Sequence, residues 1–189
     1  MARQGLRRGV CAAALLTLAI PASAGAATSA STGGTAPDSR SAGSGKTNST
    51  GRARISSDGR TATAPRNAPA AVKKAIWAAN RITRKPYRYG GGHGRWEDSG
   101  YDCSGSVSYA LHGGGLLRSP LSSGPFMRWG RSGRGRWITV YANSGHAYAV
   151  IAGLRFDTSS AGSSGGSGPR WRSRWRSPSG YVARHPSGF

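Results

Sequence analysis

Gly100-Tyr101-Asp102-Cys103-Ser104-Gly105 sets a cysteine behind an acidic residue and ahead of an apolar run, Val107, Tyr109, Ala110 and Leu111. The run reads as a helix that begins at the cysteine, with Asp102 as its N-cap and Gly113-Gly114-Gly115 as its stop. A thiol in the first turn of a helix feels the positive end of the macrodipole and unpaired backbone N–H groups, and both favour the thiolate. The chain holds two cysteines, Cys11 and Cys103. Cys11 falls in the first 24 residues, which read as a segment that is removed, so Cys103 is expected to stand alone. An exported protein ordinarily pairs its cysteines, and an unpaired thiol there points to reactivity.

The reading of residues 1–24 as a signal peptide rests on Arg3, Arg7 and Arg8, the apolar run Val10 to Ile20, Pro21, and the small residues Ala22-Ser23-Ala24. The run is shorter than the roughly 20 apolar residues that span a bilayer, so no membrane anchor is expected in the mature chain. Secretion or association with the cell wall follows. Residues 25–66 are Ser, Thr, Gly and Ala with scattered arginines, and they read as a disordered basic linker that buries too little to offset ordering entropy. Order is expected from 67 to 189, as a core over 67–158 and a basic Trp/Arg segment over 159–189. With 27 Lys+Arg against 6 Asp+Glu, a formal +21, the surface suits anionic wall polymers. No nucleic-acid motif accompanies the charge, so no specific nucleic acid is expected.

Upstream of the cysteine, Asn67 reads as the cap of a helix whose first turn carries Pro69. Val72, Ala75, Ile76, Ala79 and Ile82 share one face, and Pro86 ends it. Gly90-Gly91-Gly92-His93-Gly94 is a loop, in which His93 reads as a solvated residue. His112 and His185 read as a helix end and a tail. No His/Cys spacing suits zinc, and no cofactor is expected.

Downstream the pattern changes to strands. Trp137-Ile138-Thr139-Val140-Tyr141 and His146 to Ile151 flank the turn Asn143-Ser144-Gly145, and Ala152-Gly153 separates the second strand from Leu154-Arg155-Phe156-Asp157. If Ala152 and Gly153 are the two loop residues, Ile151 pairs with Leu154 and Asp157 falls opposite Tyr148. Asp157 and His146 then share a face at a diagonal spacing of roughly 7–8 Å. A one-residue longer loop would turn the carboxylate away. In Arg170-Trp171-Arg172-Ser173-Arg174-Trp175-Arg176 the tryptophans share one parity and the arginines the other, which predicts a final strand with one buried face. A thiol at a helix N-terminus and an imidazole backed by a carboxylate are the minimum for thiol nucleophilic catalysis.

Lys85-Pro86-Tyr87-Arg88-Tyr89-Gly90-Gly91, the Asp102-Cys103-Ser104-Gly105 segment and Gly145-His146 on a strand, in that order, resemble the NlpC-type family of papain-like cell-wall cysteine peptidases. The match covers 67 to 157. The resemblance implies an α+β domain in which the cysteine helix packs on an antiparallel sheet. It also implies endopeptidase cleavage of peptidoglycan stem peptides, typically after D-glutamate, by a monomer. On that pattern Cys103 is the nucleophile and His146 the base, Asp157 holds the third position, and Tyr87, Asp102 and Ser104 line the substrate site. The chain departs from the pattern at Ser106, where the family carries an apolar residue, in Gly135-Arg136-Trp137-Ile138 before the histidine, and in a His146–Asp157 interval one residue short. A non-catalytic, cationic wall-binding protein on the same fold is the alternative.

Overall fold

The computed structural model describes residues 51–159 and 167–189. The expected signal segment, residues 25–50 of the expected linker and residues 160–166 of the expected basic C-terminal segment lie outside the described residues.

The apolar stripe Val72, Ala75, Ile76, Ala79 and Ile82 forms helix α1, Ala70–Ile82. Its N-cap position is Pro69 rather than Asn67, and no side chain caps it. The fixed φ of proline suits a helix start and replaces the hydrogen-bonded cap that Asn67 was expected to supply. Helix α2, Cys103–Gly113, packs along α1, and a short helix α3 spans Ser123–Phe126.

A small hairpin precedes the helices, β1 Arg54–Ile55 and β2 Ala62–Thr63. The main sheet holds β3 Arg131–Ser132, β4 Ile138–Ala142, β5 Ala147–Ile151, β6 Leu154–Asp157, β7 Arg170–Arg172 and β8 Val182–His185. Their order is β3-β8-β4-β5-β6-β7, antiparallel throughout. The molecule is thus an α+β arrangement of helices on an antiparallel sheet.

The β4-β5-β6 meander has the expected register. Ile151 pairs with Leu154 across Ala152 and Gly153, whose φ values of 46° and 80° are those of a two-residue turn with both central residues left-handed. Val140, Ala149, Ile151, Leu154 and Phe156 are fully or almost fully buried on the face that receives α2, where Ala147 and Ala149 are small enough to admit it. The opposite face is buried as well. Tyr141 stacks on Tyr148 at 5.0 Å, and the C-terminal segment lays Trp175 edge-on against Tyr141 and Tyr181 edge-on against Tyr148. All five positions of β4 are therefore buried.

Two expectations are corrected. Residues 51–66 are not wholly linker: β1 and β2 pair, and Ala53 N donates to Ala152 O at 2.8 Å. The hairpin has little apolar surface, and Asn80 of α1 supplies what holds it. The Asn80 side chain accepts from Ala62 N and donates to Ala62 O, both at 2.9 Å, and accepts from Trp171 Nε1 at 2.7 Å. One amide therefore ties α1, β2 and β7 together. Asn80→Ala leaves three polar partners without bonds and is expected to cost about 2–4 kcal/mol, measurable as a lowered midpoint of denaturant unfolding.

The second correction concerns the Trp/Arg segment, which is a strand only over Arg170–Arg172. Trp171 is buried on Phe156, whereas Trp175 is 53% exposed. The register explains the break. Arg172 pairs with Arg155, so Ser173 and Arg174 would face Leu154 and the turn residue Gly153, where the partner strand ends. The last strand is instead β8, inserted between β3 and β4, and His185 belongs to it.

Candidate active site

Asp102 is the N-cap of α2, and its Oδ1 accepts from Gly105 N at 2.7 Å. Cys103 is therefore the first helical residue, a free thiol at the helix N-terminus and 8% exposed. Two glycine-rich stretches meet beneath it. Tyr87 and Tyr101 form a parallel bridge, Tyr101 N donates to Pro86 O, and Asp102 N donates to Gly91 O at 3.2 Å. A Cβ on Gly105 would stand 2.0 Å from Gly91 O, and one on Gly91 would stand 2.3 Å from Gly100 O. Only glycine permits both approaches, which gives a steric reason for the two glycine motifs.

His146 is set by the turn before it. Asn143 Oδ1 accepts from both Gly145 N, at 3.1 Å, and His146 N, at 2.8 Å, and this fixes the entry to β5. The ring's Nε2 lies 3.0 Å from Asp157 Oδ1. Asp157 leaves Nδ1 of the ring free, and the imidazole and the Ala147 backbone N–H both favour the Cys103 thiolate. Asp157, 1% exposed, also accepts from Ser159 N at 2.9 Å and from Ser159 Oγ.

The electrostatics follow from these contacts. Burial pushes the Cys103 thiol up, but the hydrogen bonds from His146 and Ala147 and the nearby imidazolium charge outweigh it and hold the thiol below its ordinary value. Burial pushes His146 down. The hydrogen bonds to Asp157 and Cys103 and their negative charges reverse this and lift it to about 9. Asp157 is raised by burial and lowered more strongly by His146, the Ser159 amide and Arg155, so it stays ionised. All three shifts favour the arrangement of thiolate, imidazolium and carboxylate over the neutral thiol and ring.

Beside the thiol lies a groove of about 360 Å³ lined by Tyr87, His93, Asp102, Cys103, Ser104 and Gly145, among others. Tyr87 is 38% exposed, and burial followed by the Cys103 and Asp102 charges raises its hydroxyl. Ser104 Oγ donates to Asp102 Oδ1 at 3.2 Å. Ser106, whose polarity was unexpected, is fully buried, and its hydroxyl is satisfied by Cys103 O at 2.8 Å.

His93 is not a solvated loop residue. Its Nε2 lies 3.0 and 3.1 Å from the two Asp102 oxygens and 3.3 Å from Ser104 Oγ. The loop folds back because Gly90 N donates to Asp102 and Gly92 N donates to Asp98, a pairing that the glycine run itself did not disclose. His112, in the last turn of α2, stacks on Trp96 at 3.8 Å. Among the described residues no cluster of three or more His, Cys, Asp or Glu could hold a metal ion.

Arg176 was also not singled out. Its guanidinium lies 3.4 Å from Asp157 Oδ2, bonds Ser159 Oγ and Tyr181 Oη, and stands over the Tyr148 and Tyr181 rings. It buttresses the carboxylate without touching the sulfur. Any chemistry at Cys103 that relies on His146 and Asp157 is expected to slow several-fold in Arg176→Ala, less than in Asp157→Ala, with Arg176→Lys recovering part of the loss. Equal rates of Cys103 chemistry in Arg176→Ala and the parent would remove it from the site.

No family model matches the chain, and neither a curated protein nor a solved structure is significantly similar to it.

Proposed function

We propose that the chain is a cysteine endopeptidase of the NlpC type that cleaves peptidoglycan stem peptides, exported and active at the cell wall without a cofactor. The observation that carries this reading is the connected line Cys103–His146–Asp157, with the sulfur at a helix N-terminus and beside a groove. The three short motifs supply the substrate class.

The geometry supports a two-step acyl transfer. The Cys103 thiolate attacks the peptide carbonyl carbon, and the resulting oxyanion would lie near the Cys103 and Ser104 amides, the first-turn N–H groups of α2 that Asp102 does not engage. His146, protonated and held by Asp157, gives its proton to the leaving amine as the C–N bond breaks, which leaves a thioester on Cys103. Neutral His146 then takes a proton from water as the water attacks the thioester. The products are the new carboxylic acid, which releases its proton to solvent, and the restored thiolate–imidazolium pair.

Tyr87, Asp102 and Ser104 form the wall on which the peptide would lie. The test is incubation of the purified protein with defined muropeptides and mass analysis of the products. A single new amine and carboxyl terminus within the stem is the expected result, and intact muropeptides after prolonged incubation would overturn the reading.

A further inference from the structure

A second concavity, of about 730 Å³, is bounded by β1–β2 loop residues and by β7, and it shares no lining residue with the Cys103 groove. Arg155, Arg172 and Arg174 line it with Trp171, Trp175 and Ser57, and no acidic residue does. Arg155 is only 6% exposed, and its buried Nε has no hydrogen-bond partner. The nearest carboxylate, Asp157 at 3.7 Å, is already engaged by His146, Ser159 and Arg176. Arg172 also buries an Nε without a partner, while its Nη2 donates to Ser167. Three guanidiniums thus face one concavity with aromatic walls and without a counter-charge on its surface, a shape that concentrates positive potential. A smaller depression of about 300 Å³ adjoins it at Trp175 and continues past Gly153 to Arg52.

We propose that this track binds a phosphodiester-linked polyol polymer, with phosphates seated on Arg155, Arg172 and Arg174 and further repeats running past Trp175 toward Arg52. Guanidinium pairs with phosphate by charge-assisted, frequently bidentate hydrogen bonds. An extended run of cations fits a repeating anion better than a single small one. The aromatic arrangement argues against a nucleic acid. Trp171 is buried on Phe156, and Trp175 is met by Tyr141 at its ring and by Arg134 over its face at 5.6 Å, so successive bases find no row of open platforms. The proposal is independent of the hydrolytic reading and would place the enzyme on its wall by a surface separate from its substrate groove.

The experiment measures fluorescence anisotropy of labelled poly(glycerol phosphate) with the purified full-length protein over a range of salt concentrations. Arg172→Gln/Arg174→Gln is expected to weaken binding about tenfold and to reduce the salt slope by about 1–2. Arg118→Gln/Arg128→Gln removes equal charge from exposed positions outside the groove and is expected to change affinity by less than about twofold. Arg174→Glu alone, at an exposed position, repeats the loss where the double variant folds poorly. Equal weakening by the two double variants would mean that net charge alone binds, and would overturn the site. Absence of binding, or single-stranded DNA binding as tightly and being lost from the same variant, would overturn it too. Cleavage of soluble muropeptides is expected to be unchanged in Arg172→Gln/Arg174→Gln. The binding site therefore stands or falls separately from the peptidase reading.

Discussion

Cys103→Ala is expected to abolish muropeptide cleavage, with a loss of about 10⁴-fold or more, while the protein keeps its fold. The sulfur sits at a helix N-terminus with the His146 imidazole beside it and the Asp157 carboxylate behind that ring. Replacing it with a methyl removes the thiolate and with it the covalent step through the Cys103–His146 pair. Cys103→Ser keeps the shape but offers a hydroxyl that His146 must deprotonate during attack, so it should remain far below the parent. The fold should survive because Cys103 is at the edge of the core, while Asp102, which caps the helix, is untouched. The check is product mass together with an unchanged unfolding midpoint. Cleavage by Cys103→Ala at the parent rate would mean that the line of groups serves another purpose.

The parts of this site that were legible in the sequence are those set by local geometry. The Asp102 cap and the helix start are written in adjacent residues. The His146–Asp157 alignment is written in a turn of two residues, Ala152 and Gly153, because the turn length fixes which face Asp157 occupies. The parts that stayed hidden depend on groups brought together across the chain. His93 reaches Asp102 only because two loop amides bind acidic side chains, and the seven-residue basic segment gave no sign of which arginine would meet Asp157. Residues 51–66 lack the apolar content that ordinarily predicts order. Their order comes from Asn80, whose amide bonds both polar groups of Ala62. The Trp/Arg segment followed its alternation only while β6 remained beside it, and Trp175 passes beyond the partner's end.

His146→Ala is expected to lower turnover by about 10³-fold and to change the way Cys103 titrates. In the parent the thiol lies below its ordinary value because the His146 hydrogen bond and charge favour the thiolate, so iodoacetamide should alkylate Cys103 at a lower pH than it does an unperturbed cysteine. Without the imidazole, burial is the leading influence and opposes ionisation, so the alkylation profile should move to higher pH. In the parent, turnover should rise as the thiol ionises and fall again near pH 9, where His146 loses the proton that the leaving amine needs. The same ionisations act on stability. His146 is raised from 6.5 to about 9 on folding, so its stabilisation is complete below about 6.5 and is lost as pH rises through about 9. Asp157 is lowered, so its contribution is present above 3.8 and is lost on acidification below that. The parent's melting temperature should therefore decline on both sides of a neutral plateau, and His146→Ala should remove its share of the alkaline decline. An alkylation profile identical in parent and variant would show that the ring does not govern the sulfur, and the peptidase mechanism would lose its base.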